Sequence, residues 1–233
     1  MIVYMDGTGE GGDLGSRLRE AVAGPLVGWR EVYEGFSPKD LRTGERRPRT
    51  PEPGEDSRRA AVLVPVLLEP EEAYIVYTVR KDNLQDHAGQ ISFPGGSPEP
   101  GDESLLSTAL REAEEEVDLQ PEMVEVIGEL EDMYISPSRF LVRPFVGLLP
   151  PEAKFILAPE EVEEIFSVSI QELMWPGAFK TVTRKREGRL YEVPVFVVNR
   201  YEVWGATAAI TANLLARLGW EGAGGAEGWT ISE

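Results

Sequence analysis

Residues 95–119, GGSPEPGDESLLSTALREAEEEVDL, decide the fold prediction because they combine a glycine loop with a helical apolar pattern. At about 100° of rotation per residue, residues 102–117 form a helix with one continuous apolar stripe. The stripe consists of Leu106, Leu110, Ala113 and Val117, extended by Leu105 and Ala109. Asp102 or Ser104 is suited to cap the N-terminus of this helix. The stretch therefore predicts an amphipathic helix whose stripe packs against a sheet.

Three glutamates, Glu112, Glu115 and Glu116, fall on a different arc of the same helix. Each like-charge pair three or four residues apart costs about 0.2–0.5 kcal/mol even when solvated, and Arg111 is one cation against three carboxylates. Carboxylate oxygens are the ligands that hard divalent cations prefer, with water and substrate phosphates in the remaining positions. We therefore predict that the three glutamates bind Mg²⁺ or Mn²⁺. The alternative is a solvated surface, which is what most glutamate-rich helix faces are.

The loop before the helix is suited to a phosphorylated ligand. Gly95 and Gly96 follow Phe93-Pro94, and without Cβ atoms their backbone can approach a ligand closely. Exposed backbone N–H groups in such a loop can hold a phosphate. A metal site and a phosphate loop side by side predict that the ligand is a pyrophosphate.

Outside this stretch, segments rich in β-branched and aromatic residues alternate with helical patterns. This predicts an α/β (α+β) fold in which helices cover a mixed sheet. The predicted strands are residues 60–68, 73–79, 123–130, 140–149 and 192–198. The other predicted helices are residues 159–175 and 206–219.

Composition divides the chain into three parts. Residues 1–57 are predicted to form an N-terminal extension that is partly helical and ends in a linker rich in arginine and proline. Residues 58–220 contain the predicted sheet and form the main domain. Residues 221–233 are rich in glycine and are predicted to be a flexible tail.

The net charge and the lack of cysteine limit the function classes. The formal net charge of −18 does not attract nucleic acid, so we expect no nucleic-acid partner. The chain has no cysteine, which excludes disulfides and thiolate catalysis. No apolar run approaches the ~18 residues of a membrane span and no signal-peptide pattern is present, so we expect a cytoplasmic protein with no membrane partner. A phosphorylated substrate would need local cations to bind.

Gly96, Glu103 and the run REAEEEVDL at residues 111–119 resemble the Nudix box of the Nudix hydrolases, G-x5-E-x7-R-E-U-x-E-E-x-G-U. The R-E-U-x-E-E half is complete. One extra residue lies between Gly96 and Glu103, and Asp118 stands where the motif has glycine. Aspartate tolerates the left-handed conformation better than most residues, so we expect the helix to end as it does in the family. The resemblance implies a Nudix-type α/β/α sandwich with a central mixed β-sheet.

The longer box is similar to that of one branch of the family, the coenzyme A pyrophosphatases. In that branch the box is preceded by L-L-T-x-T/R-S/A-x3-R-x3-G-x3-F-P-G-G. Thr78, Gly89 and the FPGG motif at residues 93–96 fall in register with this signature, whereas Lys81 replaces a small residue and Gln85 replaces the arginine.

A second segment also resembles this branch. VWGATAAI at residues 203–210 looks like the branch's C-terminal W-G-x-T-A helix. The resemblance covers roughly residues 58–219, so residues 58–220 are identified as a Nudix hydrolase domain.

The resemblance implies roles for individual residues. Glu112, Glu115 and Glu116 would be the catalytic metal ligands, with Mg²⁺ or Mn²⁺ as cofactor, and Arg111 would orient them. Gly95 and Gly96 would shape the substrate pocket. Glu103 would steady the loop or reach an outer metal ion.

The remaining substrate contacts are less well defined by the motif. Arg80 or Lys81 could supply the charge that Gln85 lacks, and His87 lies in the recognition stretch as a possible substrate contact or a loop residue without a catalytic part. Three carboxylates are candidates for the general base: Glu112 within the box, and Glu161 and Glu131 outside it.

The implied reaction is attack of water on one phosphorus of a nucleoside diphosphate linked to another group. Coenzyme A or an acyl derivative would give a phosphopantetheine and adenosine 3′,5′-bisphosphate. ADP-ribose, NADH or a nucleotide sugar is the alternative substrate, and a Nudix-fold module that binds a nucleotide without hydrolysing it is a further alternative. The expected binding partner is thus a small nucleotide. Whether the chain is a monomer or a homodimer is left undecided by the sequence.

Overall fold

The computed structural model describes residues 14–52, 56–81 and 90–222. The helices are α1 (Leu14–Val22), α2 (Trp29–Gly35), α3 (Leu105–Val117), α4 (Ile170–Met174) and α5 (Gly205–Arg217). The strands are β1 (Lys39–Asp40), β2 (Arg58–Leu68), β3 (Ala73–Arg80), β4 (Ile91–Ser92), β5 (Gly95–Gly96), β6 (Glu125–Glu129), β7 (Met133–Ile135), β8 (Phe140–Leu149), β9 (Val162–Ser169), β10 (Phe179–Arg186), β11 (Arg189–Val198) and β12 (Tyr201–Trp204). A 3₁₀ turn, Pro121–Met123, links α3 to β6.

The larger sheet is mixed. Its described strands run in the order β4-β3-β2-β8-β6, with β5 paired to β2, β7 to β8 and β9 to β3. β2 and β8 are parallel over ten residue pairs, and the other neighbours are antiparallel. The parallel pair is buried on both faces, which explains why β2 and β8 read as nearly continuous apolar runs in the sequence.

Helices cover both faces of this sheet. On one face, Ala61 and Leu63 of β2 pack with Ala109 and Ala113 of α3. On the other face, Val64 of β2 belongs to a core shared with α1, α2 and α5. The alternation of neighbouring β2 residues between the two cores follows from the two-residue period of a strand. The predicted α/β/α sandwich with a central mixed sheet is therefore confirmed.

A smaller sheet joins β1 of the N-terminal segment to three strands that precede α5. It contains β1, β11 and β10 in that order, with β12 also paired to β11. Its inner face contributes Phe179 and Phe196 to an aromatic cluster with Phe36 and Trp220. The apolar run at residues 192–198 predicts part of β11, whereas β10 and β12 were not predicted.

The prediction of a helix over residues 159–175 is wrong for most of its length. Residues Val162–Ser169 form β9, which pairs antiparallel with β3, and only Ile170–Met174 is helical. The apolar residues of this segment have helical spacing, but β3 presents an open edge whose backbone groups need partners. Tertiary pairing therefore overrides the local pattern.

The N-terminal segment packs into the main core. Leu18 of α1 and Tyr33 of α2 are fully buried, and Phe36 is 1% exposed. The segment contains α1 and α2, and its described arginine-rich part is a loop in which Arg49 is buried. The division at residue 57 stays a prediction, and residues 223–233 of the predicted tail lie outside the described residues. In the described ranges, no helix has both the length and the hydropathy required to cross a bilayer.

Candidate active site

Both ends of α3 are fixed by local contacts. Ser104 is the cap residue: its Oγ accepts a hydrogen bond from the Ser107 N–H at 3.1 Å, and the Ser107 Oγ accepts one from the Ser104 N–H at 2.8 Å. At the other end Asp118 adopts the left-handed conformation with φ of 53°, as predicted. The buried Leu119 then donates its N–H to the Ala113 carbonyl at 3.2 Å. These caps hold the glutamate-bearing turns of the helix rigid.

The two glycines of β5 lie where side chains do not fit. A Cβ on Gly95 would be 2.3 Å from the carbonyl oxygen of Ala61 on β2. A Cβ on Gly96 would be 2.3 Å from Oε1 of Glu112. Gly96 therefore leaves the space that the Glu112 carboxylate occupies, which ties the glycine loop to the acidic face of α3.

Arg111 organises three carboxylates. Its Nε and Nη2 donate to the two oxygens of Asp102 at 3.1 and 3.2 Å, and further bonds reach Glu112 at 3.0 Å and Glu115 at 2.8 Å. The guanidinium, aided by the Glu99 N–H, lowers the pKa of Asp102 to about 2. The predicted orienting role of Arg111 thus has a geometric basis. Asp102 was predicted only as a helix cap, so its bond to Arg111 is an additional role. Glu103 is exposed and has no ion pair within the described residues.

Glu116 is buried without full compensation. Its side chain is 3% exposed, and Oε1 accepts one bond of 3.3 Å from Nη1 of Arg80. Oε2 is buried and has no hydrogen-bond partner among the described residues. Burial raises the pKa of the Glu116 carboxyl to about 7, opposed by Arg80 and the Gly95 N–H and reinforced by the charges of Glu112 and Glu161. A carboxylate in this state is suited to receive a cation.

Glu112 and Glu161 complete the acidic cluster. The Glu112 side chain is 16% exposed, and burial raises its pKa, with Arg111 opposing and the charges of Glu115 and Glu161 adding to the rise. The charge of Glu161 adds to the pKa rise of both Glu112 and Glu116, so this exposed residue lies near both carboxylates. Glu115 is the outermost member, with a side chain 56% exposed.

The predicted substrate contacts are engaged with the protein itself. Arg80 pairs with Glu116, as described above. The Lys81 ammonium donates to the Pro159 carbonyl, and the Lys81 backbone N–H donates to the Glu161 carbonyl at 3.0 Å. His87 and Gln85 lie outside the described residues, so the prediction for His87 cannot be placed in the fold.

Glu131 is not part of this cluster. It faces α5 on the opposite side of the sheet, where Arg217 binds both of its carboxylate oxygens at 2.9 and 3.0 Å. Asn213 and the backbone N–H of Leu26 supply two further bonds. The prediction of Glu131 as a candidate general base is therefore wrong, because its carboxylate is bonded on the other side of the sheet. The apolar pattern of residues 123–130 does not indicate on which side of the sheet the following residue lies.

The acidic cluster fits a metal ion in two respects. Among the described residues the Oε2 atom of Glu116 is a buried acceptor without a donor, and the missing side chain of Gly96 leaves room for the Glu112 carboxylate. Arg80 and Arg111 supply the positive charge in this structure. In the described ranges no three acidic or histidine side chains are close enough to hold a metal as they stand. The ligand set of Glu112, Glu115 and Glu116 therefore stays a prediction.

Comparison with known proteins agrees with this geometry. Residues 57–188 match the NUDIX domain family. A Photorhabdus laumondii protein described as "Uncharacterized Nudix hydrolase NudL" is 38% identical over 160 residues, covering 69% of this chain and 84% of that protein. A Yersinia pestis protein of the same description is 40% identical over 158 residues, covering 68% and 78%.

A solved structure supports the fold alone. A MutT/nudix family protein from Enterococcus faecalis aligns with a TM-score of 0.50 at 13% identity, covering 90% of this chain and 75% of that chain. With more than half of its length matching the family and with relatives of this similarity, the chain belongs to the Nudix hydrolases, enzymes that act on nucleoside diphosphate-linked substrates and generally use divalent metal ions.

Proposed function

We propose that this enzyme is a divalent-metal-dependent pyrophosphatase that hydrolyses coenzyme A or its acyl derivatives. The products would be a phosphopantetheine and adenosine 3′,5′-bisphosphate. The observation that carries the hydrolytic part is Glu116, a buried carboxylate with one oxygen that lacks a hydrogen-bond partner within the described ranges. A structural glutamate would have both oxygens bonded, so this one is kept for a ligand that neutralises it.

The residues of the cluster divide the work. Glu112 and Glu116 would hold Mg²⁺ or Mn²⁺, with Glu115 as the outer ligand. A metal bound there would lower the pKa of a water molecule and neutralise charge on the leaving phosphate. Arg111, held by Asp102, keeps the Glu112 and Glu115 carboxylates in place. Gly96 brings the backbone of the phosphate loop against Glu112.

Glu161 is the best supported general base among the carboxylates considered. In the reaction the water oxygen bonds to one phosphorus, the P–O bond of the anhydride breaks, and the water proton passes to a carboxylate. Glu161 lies near Glu112 and Glu116 but belongs to the turn before β9, not to α3. It is not one of the proposed metal ligands, so it can accept the proton while those ligands stay bound.

The coenzyme A part of the proposal is supported by how the two branch-like segments meet. Thr78 of β3 donates its hydroxyl to the Ser92 carbonyl at 3.2 Å, and Thr207 of α5 donates its own to the Ile91 carbonyl at 2.8 Å. Both threonines belong to the stretches that resemble the coenzyme A branch. They hold β4, the strand that leads directly into the FPGG motif.

One observation favours a second candidate, a nucleoside diphosphate linked to a different group such as ADP-ribose, NADH or a nucleotide sugar. The 3′-phosphate of coenzyme A needs a cation, and both cations considered for it, Arg80 and Lys81, are already bonded to protein groups. A non-catalytic nucleotide-binding module is less favoured because Glu112, Glu115 and Glu116 are all present. A homodimer and a cytoplasmic location remain predictions.

The deciding experiment is a substrate panel with mass identification of the products. Purified protein with Mg²⁺ or Mn²⁺ is incubated with coenzyme A, acetyl-coenzyme A, dephospho-coenzyme A, ADP-ribose, NADH and a nucleotide sugar. We expect the highest kcat/KM for a coenzyme A and no turnover in EDTA. Equal or better turnover of ADP-ribose would refute the substrate, and binding without hydrolysis of any member would refute the enzyme mechanism.

A further inference from the structure

Lys81 lies directly after β3 and makes two contacts with the segment that carries Glu161. Its ammonium donates to the Pro159 carbonyl, and its backbone N–H donates to the carbonyl of Glu161 at 3.0 Å. The first contact is a charge-assisted hydrogen bond, which is stronger than one between neutral groups. The end of β3 is therefore hydrogen-bonded to one side of the turn at residues 158–162.

The other side of the same turn is hydrogen-bonded to α3. The Ala158 N–H donates to the Glu116 carbonyl at 2.9 Å. Within the turn, the N–H groups of Glu161 and Val162 donate to the Ala158 carbonyl at 3.1 and 2.9 Å. The turn that carries Glu161 is thus hydrogen-bonded to α3 on one side and to Lys81 on the other. Loss of the Lys81 ammonium contact would leave the turn attached to α3 and, through the Lys81 N–H and the pairing of β9, to β3, but would no longer fix its Pro159 end.

We propose that Lys81 is a positioning residue that sets the Glu161 carboxylate against Glu112 and Glu116. This inference rests on the proposed function, in which Glu161 receives the proton of the attacking water. It differs from the motif-based expectation that Lys81 contacts the substrate, because its ammonium is directed at a backbone carbonyl. Displacement of a reacting group by about 1 Å is enough to cost about 10²-fold in rate.

Kinetics of three variants separate positioning from substrate contact. Lys81→Met keeps the aliphatic stem and removes the donor, Lys81→Arg restores a donor, and Lys154→Met is the control, an exposed lysine on the same connecting segment. We expect Lys81→Met to lower kcat about 10²-fold with KM changed less than threefold, equally for coenzyme A and dephospho-coenzyme A. Lys81→Arg should recover most of the loss, and Lys154→Met should match the wild type.

The opposite pattern would overturn the proposal. A rise in KM for coenzyme A that is absent for dephospho-coenzyme A would make Lys81 a contact to the 3′-phosphate. A double-mutant cycle adds a second criterion: if Lys81 acts through Glu161, Lys81→Met should reduce kcat less than threefold further in the Glu161→Gln background. Fully additive losses would show that the two residues act separately.

Hydrogen exchange tests the contact without relying on hydrolysis. In Lys81→Met, amides in peptides spanning residues 158–162 should exchange about tenfold faster than in the wild type, the change expected for loss of one charge-assisted hydrogen bond. Unchanged exchange would refute the positioning role even in an active enzyme. Faster exchange in a protein that hydrolyses no diphosphate would instead keep the contact and refute the proposed function.

Discussion

Two buried glutamates face arginines on opposite sides of the central sheet, and they differ in how fully they are compensated. Glu131 accepts two bonds from Arg217, one from Asn213 and one from the Leu26 N–H. Its carbonyl also accepts the hydroxyl of Tyr33 at 2.7 Å. Every oxygen of this residue is therefore used by the fold.

Glu116 has far fewer partners at greater burial. Its side chain is 3% exposed against 12% for Glu131, yet within the part of the chain that the structure describes it receives a single 3.3 Å side-chain bond, from an arginine that is itself 27% exposed. A buried carboxylate oxygen without a hydrogen bond lowers the stability of the fold, because its lost hydration is not replaced. A carboxylate with both oxygens hydrogen-bonded does not carry this penalty. The difference indicates that Glu131 is retained for the fold and Glu116 for a ligand.

The largest effect is expected from Glu131→Gln. Gln keeps the shape but removes the charge that faces Arg217, whose side chain is 2% exposed. The uncompensated guanidinium should lower the free energy of unfolding by about 3–5 kcal/mol, measured by urea denaturation. Glu125→Gln, which removes an exposed partner of Arg19, is the control and should cost no more than about 1 kcal/mol. Equal losses for the two variants would remove the contrast.

Glu116→Gln should act on turnover instead. With the metal-binding charge gone, kcat should fall at least about 10²-fold, equivalent to about 3 kcal/mol in activation free energy. The fold should persist, because the ion pair that this substitution removes is with the partly exposed Arg80. Glu114→Gln, an exposed neighbour on the same helix, is the matched control and should keep near-normal activity. Near-normal activity of Glu116→Gln would place the metal elsewhere.

The pH dependence of metal-free stability is a smaller effect of the same carboxylate. Burial raises the pKa of Glu116 from 4.5 to about 7, so between these values the folded protein binds a proton that the unfolded chain lacks. Its contribution to stability is present at acid pH and is lost as the pH rises through about 7. Between pH 5.5 and 8 the free energy of unfolding should fall by about 2 kcal/mol on this account.

Denaturation in EDTA at several pH values measures this loss. Glu116→Gln, which has no titrating group there, should show a correspondingly weaker decline and greater metal-free stability at pH 8. Mn²⁺ competes with the proton, so its affinity for the wild type should decrease as the pH falls below about 7. An identical pH dependence in the wild type and the variant would show that Glu116 stays ionised in the folded protein.

The sequence predicted those features of the site that depend on neighbours along the chain. The apolar stripe of α3, the Ser104 cap and the acidic arc need only helical geometry, and all are present. The contacts that distinguish Glu116 from Glu131 come from distant segments: Arg80 at the end of β3 and Arg217 in α5. Both glutamates appear in the sequence as members of acidic runs, so burial and pairing could not be read from them.

The segment around Glu161 shows the same limit in the fold itself. Its apolar spacing favoured a helix, and a helical reading gives no account of how Glu161 meets the acidic arc. Pairing of Val162–Ser169 with β3 brings the preceding turn against α3 and closes the cluster. The decisive interaction is a strand edge about 80 residues earlier in the chain, which local propensity does not encode.

The smallest effect is expected at Asp118, the residue that departs from the motif glycine. Its φ of 53° costs a non-glycine residue energy, and Asp118→Gly would relieve that cost while increasing the conformational freedom of the unfolded chain. These effects oppose each other, so the free energy of unfolding should rise by no more than about 1 kcal/mol, with kcat changed less than threefold. Asp118→Ala, which keeps the Cβ strain without a local polar group, should be less stable than the wild type. A tenfold change in kcat for Asp118→Gly would mean that this carboxylate, unlike Glu131, belongs with Glu116 in the chemistry.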